Sequence, residues 1–300
     1  MEYILFAILA SISSAANTIF NRISSNKVSV MLSAFLKSIF IVLACILISA
    51  CFGHVPTLYK LTGEQWLWIS IVGLLTCSNW IFYFAAIKKA HLEAFSPLEE
   101  TSQLFFANVL FMIFTFNEVT NSGKPLNIVF FSIGLLFLIG AMAMVVFNKK
   151  INPSQKKIWI VYALISSLSL AITLLIVKLK LSSVPSDVIA YHQMTIVSVV
   201  TFILLLVKKE IGNFKQLKWQ DYARFLLAAI FNTLLMIFRY KALSYENCIP
   251  SIVSVIITCE FVMVSIVTII FFKAQNKKAM SLLITSIICG MALILVAGLV

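Results

Sequence analysis

Glu260 interrupts the apolar run Val255-Ile256-Ile257-Thr258-Cys259-Glu260-Phe261-Val262-Met263-Val264. It falls about twelve residues into a stretch long enough to cross a bilayer, so at 1.5 Å per residue it lies near mid-depth. A carboxylate on so short a stem does not reach water by snorkelling. An ionisable group at that depth is costly and marks an ion pathway, a proton relay or a paired structural charge. Two readings follow: a proton-coupling or cation-binding carboxylate, or a buried ion pair or inter-helix hydrogen bond.

Other charged and aromatic groups inside apolar stretches extend the set. Lys37 lies about a third of the way into the second stretch, and Glu99 and Glu100 follow Pro97 at similar depth in the fourth. A Lys37–Glu100 or Lys37–Glu99 pair would offset the cost of burial and form a gate; the alternative is a snorkelling lysine with both glutamates at the interface. Tyr191-His192-Gln193 opens the seventh stretch and Arg239-Tyr240-Lys241 ends the eighth, which puts both at the opposite end of the bundle. They read as a second gate with substrate contacts, or as ordinary interface residues. Asn79, Trp80 and Tyr83 combine amide and aromatic groups of the kind that line small-molecule pockets. Singly, each is as readily a helix–helix hydrogen bond or a packing residue.

The elements that must position these groups are set by composition. Of 300 residues, 61% are hydrophobic and 11% charged, against about 45–50% and about 25% in soluble domains. The excess is gathered in blocks of roughly 20 residues, the length a membrane helix needs. Ten spans are expected, at 3–21, 30–51, 65–87, 94–117, 126–147, 158–179, 187–207, 220–243, 248–272 and 280–299. The first follows Met1-Glu2-Tyr3 without a basic leader and reads as a retained helix. No loop is long enough to house an enzyme domain. The net charge of +12 sits almost wholly in loops, the pattern of membrane topology and not of a nucleic-acid face. The six cysteines and three histidines show no metal-ligand spacing, and no cofactor is implied.

A single shift of 156 residues aligns the chain with itself without gaps. Ala7, Ser11, Ser13 and Ala15 fall on Ala163, Ser167, Ser169 and Ala171; Ala34-Phe35 on Ala190-Tyr191; Ile81-Phe82 on Ile237-Phe238; Ala86 on Ala242; Gly134 on Gly290. Five helices is an odd number, so the second copy enters the membrane from the other face. The fold class is therefore an all-α membrane protein with ten transmembrane helices as two inverted five-helix repeats, over 1–150 and 157–300. Inverted repeats characterise secondary transporters. The fifth and tenth spans carry almost nothing polar and are expected at the periphery, their glycines serving packing.

The segment Ser78-Asn79-Trp80-Ile81-Phe82-Tyr83-Phe84-Ala85-Ala86-Ile87-Lys88, then Ser96-Pro97-Leu98-Glu99-Glu100-Thr101-Ser102 and Asn117-Glu118, resembles the EamA-type branch of the drug/metabolite transporter superfamily. Asn17-Thr18-Ile19-Phe20-Asn21-Arg22 is similar to that family's first helix, whereas Ala274 stands where the second half would carry the terminal Glu. The resemblance implies two inverted repeats, a central cavity and secondary transport of small metabolites. It also implies cytoplasmic termini. The loop charges point the other way. Lys88, Lys89, Lys149, Lys150, Lys156, Lys157, Lys208 and Lys209, among others, outnumber Lys60, Lys124, Lys178, Lys180, Arg239 and Lys241, which favours the face opposite the N-terminus as cytoplasmic.

The expected function is a secondary active transporter of the cell (plasma or inner) membrane. It would move a small polar or amphipathic metabolite, an amino acid-like solute or a drug-like cation, with a coupling proton or cation. The lipid bilayer and a small-molecule substrate are the expected partners, with no nucleic acid; oligomeric state is open. No phosphate-binding GxxxxGK[ST] loop occurs. A structural or scaffolding membrane subunit is the alternative. An intramembrane lipid-modifying enzyme is less favoured, because no His–acid cluster is visible near Asp187 or Asp221.

Overall fold

The computed structural model describes residues 2–25, 28–90, 92–121, 127–148, 157–246, 248–264 and 277–299. Within them lie α1 (Glu2–Ser25), α2 (Val30–Cys51), α3 (Gly63–Lys89), α4 (Leu92–Asn121), α5 (Ile128–Phe147), α6 (Ile158–Lys180), α7 (Ser186–Val207), α8 (Trp219–Ser244), α9 (Pro250–Thr258) and α10 (Lys277–Leu299). Short 3₁₀ turns, Val55–Tyr59 and Ile211–Gln216, bridge α2 to α3 and α7 to α8. Ala274, the loop 149–156, the expected end of the ninth span and the loop lysines Lys27, Lys124 and Lys273 lie outside the described residues, as do the side chains of Asn117 and Glu118.

Helix starts follow local chemistry. Ser29 accepts from the Leu32 N–H, Asn127 from Phe130, and Thr62 and Gln65 form a reciprocal capping box. Pro250 sits at the start of α9, where no N–H is needed. Pro97 lies inside α4 without breaking it. Among the described residues, eight helices are long and apolar enough to span a bilayer. The 30-residue α4 is not among them, since its Ser96–Gln103 segment brings Glu99 and Glu100 into the interior. α9 departs from the expected straight span. It ends at Thr258, Cys259 forms a turn whose N–H is shared between the carbonyls of Val255 and Ile256 at 3.2 Å each, and helix resumes over 260–264.

The halves exchange partners. α1 packs along α8 and α6 along α3, while α2 meets α7, α4 meets α9 and α5 meets α10. Elements equivalent under the 156-residue shift thus either swap partners or touch their own counterpart, as an internal two-fold requires. Gly134 and Gly290 are such a self-pair: a Cβ on Gly134 would stand 2.9 Å from the Gly290 carbonyl oxygen, and one on Gly290 would stand 3.0 Å from that of Gly134. α5 is at the edge as expected, with 28% of its span buried.

Candidate functional site

Between the two halves lies a cavity of about 80 Å³ lined from α1, α2, α3, α4, α6, α7 and α8 and by Glu260. Nine of the ten residues singled out in the sequence line it: Lys37, Asn79, Trp80, Tyr83, Glu99, Glu100, Gln193, Arg239 and Glu260. His192 does not. It sits one residue, about 100° of helix, from Gln193. Its Nε2 lies 3.0 Å from the Leu58 carbonyl and its ring packs edge-on to Trp66. It is a packing histidine, which corrects the expectation of a substrate contact.

Lys37 is buried and does not snorkel. Its ammonium donates to Asn17 Oδ1 at 2.7 Å and stands 4.8 Å from the centroid of Trp80. A ring face and an amide oxygen thus compensate the charge. Among the described residues no ion pair joins Lys37 to Glu99 or Glu100, so the expected Lys37–glutamate gate is replaced by an α1–α2–α3 clasp.

The glutamates have each other instead. Glu99, Glu100 and Glu260 are each buried and line the same cavity. Thr18 donates to Glu260 Oε1 at 3.3 Å, while Oε2 receives no N–H or hydroxyl. Glu260 is 1% exposed. An ionised carboxylate only accepts, so a hydrogen bond between two carboxyls requires a proton on one of them. Arg239, also buried, lines the same cavity, and among the described residues its Nε has no hydrogen-bond partner. Among the described residues no three His, Cys, Asp or Glu side chains converge where a metal ion would sit.

Both ends of the cavity are bridged. Toward the end where α1 finishes, Asn21 donates to the Tyr83 hydroxyl at 3.5 Å, Tyr83 packs edge-on to Phe95, and Arg22 donates to the Ile87 carbonyl. Toward the other end, Tyr240 donates to Gln193 Oε1 at 2.6 Å and Gln193 donates to Thr76. Asn79 is tied to α6 through Ser166, at 2.9 Å to both its carbonyl and hydroxyl, and Ser102 meets Ser167 at 2.7 Å. Tyr240→Phe is expected to leave Gln193 Oε1 short of a donor in a buried site and to lower stability by about 1–3 kcal/mol, measured by thermal unfolding in detergent. An unchanged transition would show the bridge to be energetically idle.

Thr18 and Thr76 were not singled out as site residues. In sequence they look like ordinary span residues, and only the inter-helix register exposes their role. A second cluster was also missed. Asp187, buried at the start of α7, accepts from Ser49 at 2.6 Å and lies 2.9 Å from His54 Nδ1. This His–acid pair corrects the expectation that none exists. Serine and histidine both converge on the carboxylate, whereas a serine nucleophile needs its hydrogen bond to the base.

Known proteins place this architecture. The model of the EamA-like transporter family matches residues 1–140 and again 157–296. A curated relative from Sinorhizobium sp., an uncharacterized transporter in the cobO 3' region, is 23% identical over 133 residues, which are 44% of this chain and 93% of that protein. A solved crystal structure covers 99% of both chains with a TM-score of 0.69 at 15% identity, a likeness of fold. With a family match in each half and, among the described residues, a helical bundle with eight apolar helices of spanning length, the chain belongs to the EamA-like transporter family and is a multi-pass cell-membrane transporter of small solutes.

Proposed function

We propose that the protein is a secondary active transporter that works by alternating access and exchanges protons against a small polar or amphipathic metabolite, either an amino acid-like solute or a drug-like cation. The observation that carries this reading is the gathering of three buried carboxyls, Glu99, Glu100 and Glu260, in one cavity between the halves. On this reading a proton held among these carboxyls is displaced by an entering cationic group. An ammonium approaching Glu260 takes the place of the proton between Glu260 and Glu100, and a substrate carboxylate has the unpartnered Nε of Arg239 to meet. Trp80 and Tyr83 supply the apolar wall.

Opening toward one face parts Asn21 from Tyr83 and Arg22 from Ile87; opening toward the other parts Gln193 from Tyr240 and Thr76. A scaffolding subunit would favour a dry, packed midplane, and the polar cavity speaks against it. The test is uptake into proteoliposomes under an imposed pH gradient. One-for-one exchange should concentrate the substrate about tenfold per pH unit, since each unit is worth about 1.4 kcal/mol. Uptake that equilibrates without responding to the gradient would refute proton exchange and leave facilitated diffusion.

A further inference from the structure

A second cleft, of about 260 Å³, lies at the face opposite the N-terminus, where α2 and α8 begin beside the Ile211–Gln216 turn. Its polar lining is Ser29, Asn213, Lys218, Gln220, Asp221 and Arg224. Arg224 pairs with Asp221 at 3.3 Å, and Asp221 also accepts the Lys218 backbone N–H at 3.1 Å. That single carboxylate is thus engaged twice, and the Lys218 ammonium is left as net positive charge. Beneath lies a hydrophobic cluster separate from the main core, built on Leu32, Leu36, Leu205 and Phe225.

The internal repeat supplies a control for what the fold itself requires. The 156-residue shift lays the turn Val55–Tyr59 on the start of Ile211–Gln216, Thr62 on Lys218, Glu64 on Gln220, Gln65 on Asp221 and Trp68 on Arg224. The first copy builds the same turn and the same helix start from Thr62 and Gln65, with an acid and an indole where the second has an amide and a guanidinium. The architecture therefore does not demand Lys218 and Arg224. Trp219, beside Lys218, is 82% exposed, as an aromatic ring at headgroup level is. We propose that this cleft binds the headgroup of an anionic phospholipid. The phosphate sits between Lys218 and Arg224, the headgroup hydroxyls meet Ser29, Asn213 and Gln220, and the acyl chains lie outside against Trp219. The Thr62–Trp68 copy at the opposite face does not bind it.

The experiment uses the full-length protein in nanodiscs of mixed phosphatidylglycerol and phosphatidylcholine, with co-purifying lipid counted by native mass spectrometry. The wild type should retain phosphatidylglycerol above its bulk fraction. The Lys218→Gln/Arg224→Gln variant should lose that enrichment, by roughly fivefold per charge removed. A Lys208→Gln/Lys209→Gln variant removes the same charge from the same face outside the cleft and should keep the enrichment. Equal loss in both variants, or no phosphatidylglycerol preference in the wild type, overturns the proposal. Glycerol 1-phosphate is added to pure phosphatidylcholine discs as the second arm. No thermal shift is expected; a saturable shift abolished by Lys218→Gln/Arg224→Gln would assign the cleft to a soluble phosphate and overturn the lipid.

Discussion

Glu260→Gln is expected to abolish concentrative uptake while leaving downhill exchange in place. Glutamine keeps the shape of the side chain and an oxygen to accept from Thr18, which lies 3.3 Å from Oε1 in the wild type. Its amide can donate where a protonated carboxyl would, but it carries no titratable proton. The fold should therefore tolerate the change, and the variant isolates coupling from structure. In proteoliposomes the roughly tenfold accumulation per pH unit should collapse to unity, with labelled-substrate counterflow still measurable. Accumulation that still follows the gradient in Glu260→Gln would remove this residue from coupling. Glu99→Gln should reduce the same ratio less, because Glu100 and Glu260 are intact.

The second large effect lies far from the cavity. Gly134→Ala should destabilise the protein by about 1–3 kcal/mol, whereas Gly140→Ala should be close to neutral. The added Cβ at position 134 would stand 2.8 Å from Ile294 Cγ1 and 2.9 Å from the Gly290 carbonyl oxygen, and the second of these is backbone that cannot rotate away. α5 and α10 would have to separate along a contact that closes the bundle on one side. At position 140 nothing lies within 4 Å of the added carbon. Thermal unfolding of the two variants in one detergent compares the same chemical change in two environments, and equal transitions would rule out the close crossing.

The periodic, long-range features of this chain were legible in the sequence because hydrophobic span length and a constant repeat shift are properties of many residues at once. Ten helices, the two-repeat architecture and a peripheral fifth helix all follow from them. The candidate cavity was legible for a different reason: Glu260, Lys37, Glu99, Glu100 and Arg239 are too costly in an apolar span to be there idly. What sequence does not carry is which of these groups face one another. Lys37 chose Asn17 and Trp80 over the glutamates because α1 and α3 present those groups at its height, a matter of helix rotation and crossing. His192 and Gln193 are neighbours in the chain yet on different faces of α7, and His54 meets Asp187 only because the short turn after α2 folds back over the start of α7. The break at Cys259 was hidden for the same reason: no proline or glycine marks it.

The exchange of partners between halves has a consequence for biosynthesis. α1 finds its main neighbour in α8 and α3 in α6. The first helix therefore emerges roughly 200 residues before the surface it must cover, a delay of about 10–40 s at ordinary elongation rates. Through that interval the nascent chain holds Asn17, Lys37 and Asn79 in the membrane without the second half to complete their enclosure. The five-helix first half is thus a polar-faced intermediate that needs shelter, from the insertion machinery or from a second nascent copy, until its inverted sibling arrives.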